Sequence, residues 1–441
     1  MLFPILFNLF IFSIAIIYNT SYNISNKQRC IYFLHLCFFI LSGGYFMKKR
    51  VLSLVLGVLM SITFISCGST SSSPSDSKSE SSSSESTASG DTIPIGVISP
   101  SSGALSDYGI AVNNAIALAI DEINASGGVL GKQIKATYLD DKHDSAEAVN
   151  CYNKLKGDKV VAVIGSVASA DTSAIASVAA KDGKLILTPT STNDAITGLG
   201  NSIFRACYTD SHQGEIMATF ASKNLKAKTA GILYNTTDEY STGLKDSFES
   251  AGKNSGLEIT TTEGYGNGDV DFNTQLTKIA SLNPDVLFVP DYYGTDTLIA
   301  SQARAAGYIG PILGADGWDG VIEATDSGSM ESLNNCFFSN HYSSDDTSEK
   351  IQNFIKAYKD KYDGKTPNAL AALAYDSTYM VKEALEKAGA TDDASIVKAM
   401  TGMTYEGVTG NIALDENRNP KKGAAIIEIK DGKYTWNSTV E

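Results

Sequence analysis

Ile93-Pro94-Ile95-Gly96-Val97-Ile98-Ser99, halted by Pro100, is the stretch on which the fold reading turns. A short apolar run bounded by a proline reads as a β-strand. Gly109 to Ala125 follows as a helix, with Val112, Ile116, Ile120 and Ile123 on one stripe. Gly127-Gly128 ends it. Working outward, Gln133 to Leu139 is a strand, Ala146 to Leu155 a helix and Val160 to Ile164 a nearly all-apolar strand. Ala170 to Lys181 is helical and Leu185 to Leu187 is a strand. Strands and helices alternating in this way form βαβ units around a parallel sheet covered on both faces.

The pattern restarts downstream. Thr229 to Tyr234, Leu257 to Thr261, Asp285 to Val289 and Pro311 to Leu313 read as strands. Ser241 to Ala251, Phe272 to Ser281 and Thr295 to Ala306 are the helices between them. Two further helices, Glu349 to Tyr362 and Ala369 to Ala388, precede weaker strands near Ile426 to Ile429 and Lys433 to Trp436. The fold class is α/β, with two doubly wound parallel-sheet lobes joined by a hinge. Residues 91–210 with about 340–405 are expected to form the N-terminal lobe. Residues 211–339 with about 406–441 are expected to form the C-terminal lobe. Ligands of such sheets bind beyond the C-terminal ends of the strands, so the site belongs to the loops after them.

The first ninety residues read differently. Met47-Lys48-Lys49-Arg50 is a basic start, and Val51 to Ile65 is an apolar segment of signal-peptide length, shorter than a comfortable membrane span. It runs into Phe64-Ile65-Ser66-Cys67-Gly68, which resembles the lipobox of bacterial lipoproteins and makes Cys67 the candidate lipidation site. Residues 47–67 are thus read as a lipoprotein signal; a plain signal peptide with an incidental cysteine is the other reading. Residues 68–90 are a serine-rich tether that buries too little apolar surface to order itself. Residues 1–46 are expected to lie upstream of a true start at Met47. Gly43-Gly44 can be encoded as GGA-GGT, a ribosome-binding sequence. The competing reading makes Leu2 to Tyr18 a transmembrane helix.

Length and composition bound the function. A chain of 441 residues exceeds one ordinary core. A net charge of -14 repels phosphates, so no nucleic-acid partner is expected. Beyond Cys67 the cysteines are Cys151, Cys207 and Cys336, an odd number that argues against a full disulfide framework. His143, His212 and His341 stand isolated, so neither a metal nor a cofactor is expected. His-Glu-x-x-His, Gly-x-Ser-x-Gly and Gly-x-x-x-x-Gly-Lys do not occur, and Ser99-Pro100-Ser101-Ser102-Gly103 lacks a dinucleotide-binding glycine turn. An enzyme is not expected.

A resemblance then spans nearly the whole folded part. Ile95-Gly96-Val97, Pro100, Ser102-Gly103, Tyr108-Gly109, Ile123-Asn124-Ala125, Gly127 to Lys132 and Asp140-Asp141 occur in that order. Val163-Ile164-Gly165-Ser166, Thr188-Pro189, Thr192-Asn193, Tyr240-Ser241-Thr242-Gly243 and Asp316-Gly317 follow. The string is similar to the leucine/isoleucine/valine-binding proteins, which have the type I periplasmic-binding fold. The resemblance implies an extracytoplasmic, lipid-anchored monomer that passes a branched-chain amino acid to the permease of an ABC importer. It assigns the ligand's carboxylate to Ser169, Ser191 and Thr192, and its ammonium to Asp316. Tyr108, Tyr240 and Tyr292 are assigned to the walls, with Trp318 a further candidate for the side-chain pocket. Some relatives bridge two loops by a disulfide at positions that are His143 and Ala168 here.

The chemistry fits these residue types. A zwitterion entering a cleft must replace the hydration of both its charges. Ser169 lies near the start of a helix, where free amides and the dipole favour an anion. Without the resemblance, Ser169, Ser191 and Thr192 read as cap or turn residues and Asp316 as an Asx-turn acceptor before Gly317. His143, among acidic neighbours, reads as part of a solvated loop. The same fold could instead hold an amide, urea or an aromatic acid, or serve a sensor. An amino acid is favoured because a ligand without an ammonium leaves Asp316 unpaired.

Overall fold

A computed structural model describes residues 92–440. Cys67, the signal segment, the tether and residues 1–46 lie outside the described residues.

Five parallel strands build the first sheet: β1 (Ile93–Ser99), β2 (Ile134–Asp140), β3 (Ala162–Ile164), β4 (Leu185–Thr188) and β5 (Ile203–Arg205). Their spatial order is β2-β1-β3-β4-β5. Helices α1 (Ser106–Ala125), α2 (Ser145–Gly157) and α3 (Ser169–Asp182) connect them. Alternation along the strands sorts the two faces. Ile95, Val97 and Ile164 share a core with Val112 and Ile116 of α1. Ile98, Val163 and Ile186 pack on the other side with Tyr152, Leu155 and Ile175.

The second sheet repeats this winding. Its parallel strands β6 (Thr229–Asn235), β7 (Glu258–Tyr265), β8 (Val286–Phe288), β9 (Ile312–Gly314) and β10 (Cys336–Asn340) stand in the order β7-β6-β8-β9-β10. Helices α4 (Asp210–Thr219), α5 (Glu239–Ser255), α6 (Asn273–Leu282), α7 (Tyr293–Ala305) and the one-turn α8 (Val321–Ala324) belong to this half. Helices α9 (Glu349–Lys361) and α10 (Ala369–Ala388) pack on α1, and α11 (Asp393–Met400) lies against β4. A hairpin of β11 (Thr404–Gly407) and β12 (Gly410–Ala413) follows, fastened where Val408 and Thr409 donate backbone N–H to the Asp376 carboxylate of α10. Strand β13 (Ala424–Lys430) extends the second sheet antiparallel to β10, and β14 (Lys433–Val440) pairs antiparallel with β13 at the edge.

The chain therefore passes between the sheets at 206–209, 341–348 and 414–423. The α/β class with two doubly wound lobes is what the periodicity leads one to expect. Strands β5 and β10, helices α4 and α11 and the hairpin are additions to the sequence reading. Both strands are short, three and five residues. Strand β5 ends in an arginine. Helix α4 buries Asp210, Gln213 and Gly214 beside Ile216 and Met217, so it carries no apolar stripe. Among the described residues, no helix is long and apolar enough to cross a membrane.

Candidate functional site

In each sheet the strand order reverses beside the first strand, and a crevice opens there beyond the strand ends. On the first lobe, the crevice needs the β3 loop to press against β1. Gly165 allows this: it has φ +128°, and a Cβ there would lie 2.1 Å from the Ile98 carbonyl oxygen. Ser169 then opens α3. Its N-cap, Ala168, offers no side-chain hydrogen bond, which leaves first-turn amides for another acceptor.

The β4 loop is stitched onto the β3 loop. Thr188 Oγ1 donates to the Ser166 carbonyl at 2.8 Å and Thr190 Oγ1 to the Val167 carbonyl at 2.8 Å. Ser191 Oγ donates to the Val167 carbonyl at 3.0 Å and lies 2.7 Å from Thr172 Oγ1. Arg205, fully buried, clamps the loop from behind, with Nη1 on the Ser191 carbonyl at 3.1 Å and Nη2 on the Asn193 carbonyl at 2.6 Å. Thr192 is fully buried, its hydroxyl facing the buried Asp210 carboxylate.

The second lobe contributes an aromatic wall and a carboxylate. Tyr240, in the first turn of α5, stacks on Tyr292 at 4.8 Å and 13°. Tyr108 of the first lobe meets Tyr292 edge-on at 6.5 Å. Asp316 is buried in the turn after β9. Its Oδ1 accepts from Tyr240 OH at 2.7 Å and Gln213 Nε2 at 3.0 Å, and its Oδ2 from His341 Nε2 at 3.0 Å. Burial pushes His341 down to about 4, so the ring is neutral and donates through a protonated Nε2. Burial also raises Tyr108, Tyr240 and Tyr292, which keeps their hydroxyls protonated.

Tyr108, Ser169, Tyr240, Tyr292 and Asp316 line one narrow cavity of about 20 Å³ between the lobes. Val167, Thr190, Gly317 and Leu370 complete it. A wider cavity of about 300 Å³ shares Tyr292 and opens past His143, Asp171, Asp238 and Asp291. Interlobe hydrogen bonds surround the site. Tyr293 OH donates to the Ala104 carbonyl at 2.9 Å, and Asn193 Nδ2 to the Glu239 carbonyl at 3.1 Å. The Ala369 N–H donates to Asp319 Oδ2 at 2.7 Å.

Not every expected residue arrives there. Ser191 is not brought to the cavity wall: its hydroxyl fastens two loops, because the β3 carbonyls lie closer to it than the cleft does. Thr192 is not among the residues lining the cavity; its hydroxyl is engaged with the buried Asp210 carboxylate. Trp318 belongs to the core of the second lobe, fully buried with Nε1 on the Val289 carbonyl at 2.8 Å. Asp316 is not unpaired without a ligand, since three protein groups already donate to it; the expectation built on an unpaired Asp316 fails there. His143 is more than a solvated loop residue, with Nδ1 2.8 Å from Asp171 Oδ2 and its ring edge-on to Tyr292. Gln213, His341 and Arg205 escape sequence reasoning, since a lone polar residue carries no periodic signal.

The family model for periplasmic binding proteins matches residues 92–433. A leucine-, isoleucine-, valine-, threonine- and alanine-binding protein of Pseudomonas aeruginosa is 29% identical over 339 residues, covering 75% of this chain and 88% of the relative. A leucine-binding protein structure from Thermotoga maritima superposes with TM-score 0.74 at 32% identity, covering 79% of this chain and 99% of the other. A branched-chain amino acid transporter substrate-binding protein from Streptococcus pneumoniae, in complex with isoleucine, gives TM-score 0.73 at 35% identity with the same coverage. The chain belongs to the periplasmic binding proteins of the leucine/isoleucine/valine-binding family, with the type I fold. Members of this family are solute-binding proteins, and the present chain is one of them.

Proposed function

We propose that this protein is the solute-binding component of an ABC importer, that it is tethered outside the cell membrane by lipid on Cys67, and that its ligand is a branched-chain amino acid. The observation that carries the ligand class is the charge of the cavity. Among its lining residues the only formally charged side chain is Asp316, and the three donors on Asp316 are neutral. A net-neutral zwitterion suits such a cavity. An anion without an ammonium, such as an aromatic acid, would bring a second negative charge into it.

The ammonium takes Asp316. The carboxylate takes the Ser169 hydroxyl and the open amides of α3. The aliphatic side chain packs on Tyr108, Val167, Tyr292 and Leu370. A ligand bridging both lobes stabilises their closed arrangement by its differential contacts, and the three crossings act as the hinge. That closed arrangement is what docks on the permease. The lobes themselves follow the two sheets, and the protein works as a monomer.

Titration calorimetry tests the reading. One-to-one binding of leucine, isoleucine or valine is expected, together with weak or no binding of benzoate. Absence of heat with every amino acid would overturn it.

A further inference from the structure

The carboxylate that anchors the ligand is itself held by the hinge. Gln213 stands on α4, immediately beyond the first crossing, and His341 is the first residue of the second crossing. Gln213 is fixed on both sides of its amide. Its Oε1 accepts from Ser339 Oγ at 2.9 Å and from the Asp316 backbone N–H at 3.1 Å, while its Nε2 donates to Asp316 Oδ1. His341 donates to Asp316 Oδ2 and stacks on Tyr208 of the first crossing, with ring centroids 3.8 Å apart and planes 24° from parallel. The neighbouring His212 reaches the third crossing, with Nε2 2.8 Å from the Lys422 carbonyl oxygen. Every side chain that contacts the Asp316 carboxylate, apart from Tyr240, thus sits at a crossing or next to one.

We infer that Gln213 and His341 are positioning residues that couple Asp316 to the interlobe crossings, so that an ammonium taken by Asp316 biases the hinge toward closure. This rests on the amino-acid reading above and deepens it. The physical reason is competition for a few lone pairs. An ammonium approaching Asp316 shares oxygens already engaged by Gln213 Nε2 and His341 Nε2. The carboxylate reorients until all donors are served, and each adjustment is carried to a ring or amide packed against a crossing. A hinge angle that suits all the donors at once is favoured over the others.

The test uses the full-length protein with a dye on each lobe, read by energy transfer at saturating leucine. His341→Phe keeps an aromatic ring for Tyr208 to stack on but removes the donor; Gln213→Leu removes the other. Both variants are expected to close incompletely even at saturating leucine. His341→Gln, which can still donate, is expected to recover most of the closure. A residue with a merely structural role would change stability or the leucine concentration required, and leave the saturated closure complete. Should His341→Phe not fold, Gln213→Leu and His341→Gln read the same quantity. Full closure at saturation in the donor-less variants overturns the inference while the amino-acid reading stands. Failure of the unaltered protein to bind any amino acid overturns both.

Discussion

Tyr108 OH donates to the Gly317 carbonyl at 2.5 Å, joining the first helix of one lobe to the anchor turn of the other. The Gly317 N–H in turn donates to Tyr240 OH at 2.7 Å, so this one residue meets a tyrosine from each lobe. This bond exists only while the lobes are together. Tyr108→Phe keeps the ring and removes it. Leucine affinity should fall about three- to tenfold, the range of one net hydrogen bond, through faster dissociation. Stopped-flow fluorescence would measure this, and an unchanged dissociation rate would count against a latch.

Asp316 carries the charge complement, so its removal should cost more than any hydroxyl. Asp316→Ala and Asp316→Asn are both expected to weaken leucine binding by about a hundredfold or more, since truncating one partner of a buried charge pair costs 2–5 kcal/mol. Asn is the stricter comparison because it keeps the shape. Calorimetry showing Asn within a few-fold of the unaltered protein would mean that charge is not what Asp316 supplies.

Ser169 and Ser191 should separate cleanly. Ser169→Ala is expected to weaken binding about tenfold with little effect on stability. Ser191→Ala should do the reverse, lowering the unfolding free energy by about 1 kcal/mol and leaving affinity within about twofold. Paired calorimetry and urea titrations would decide, and equal losses of affinity would place Ser191 back in the site.

Arg205→Met should be among the most damaging single changes. Two loop carbonyls lose a buried guanidinium, and a loss of about 3 kcal/mol is expected. Urea midpoints measure the stability. Leucine affinity should fall with it, because the β4 loop loses its backing.

Asp296 is fully buried, and the backbone of Asp291 is the group that faces its carboxylate. Burial pushes it well above the usual carboxylate range. In the unfolded chain it ionises above about pH 4. Between that pH and its folded value the native state binds more protons than the unfolded one, so its stability contribution falls as pH rises, by about 1.4 kcal/mol per pH unit. His341 acts oppositely. With its folded value near 4, its contribution is present above about pH 6.5 and lost as pH falls toward 4. Asp296→Asn should therefore match the unaltered protein near pH 4 and exceed it in stability at pH 8. Thermal unfolding across that range checks the sign, and a variant less stable at pH 8 would refute it.

The sequence reached far into this protein. The apolar run Ile93–Ser99, buried on both faces, and the stripe of α1 identify a parallel sheet wound on both faces, because side-chain direction follows from backbone geometry. The family resemblance assigned Tyr108, Ser169, Tyr240, Tyr292 and Asp316 to the site, and these do share a cavity. What tertiary structure decided is where each lone pair goes. Ser191 and Ser169 are alike as a residue type, yet one hydroxyl turns to the Val167 carbonyl and the other to the cleft. Gln213, Arg205 and His341 lie 103, 14 and 25 residues along the chain from the groups they hold. Such pairings arise only when two sheets and three crossings fix distant atoms within hydrogen-bond reach, and no periodicity along the chain encodes them.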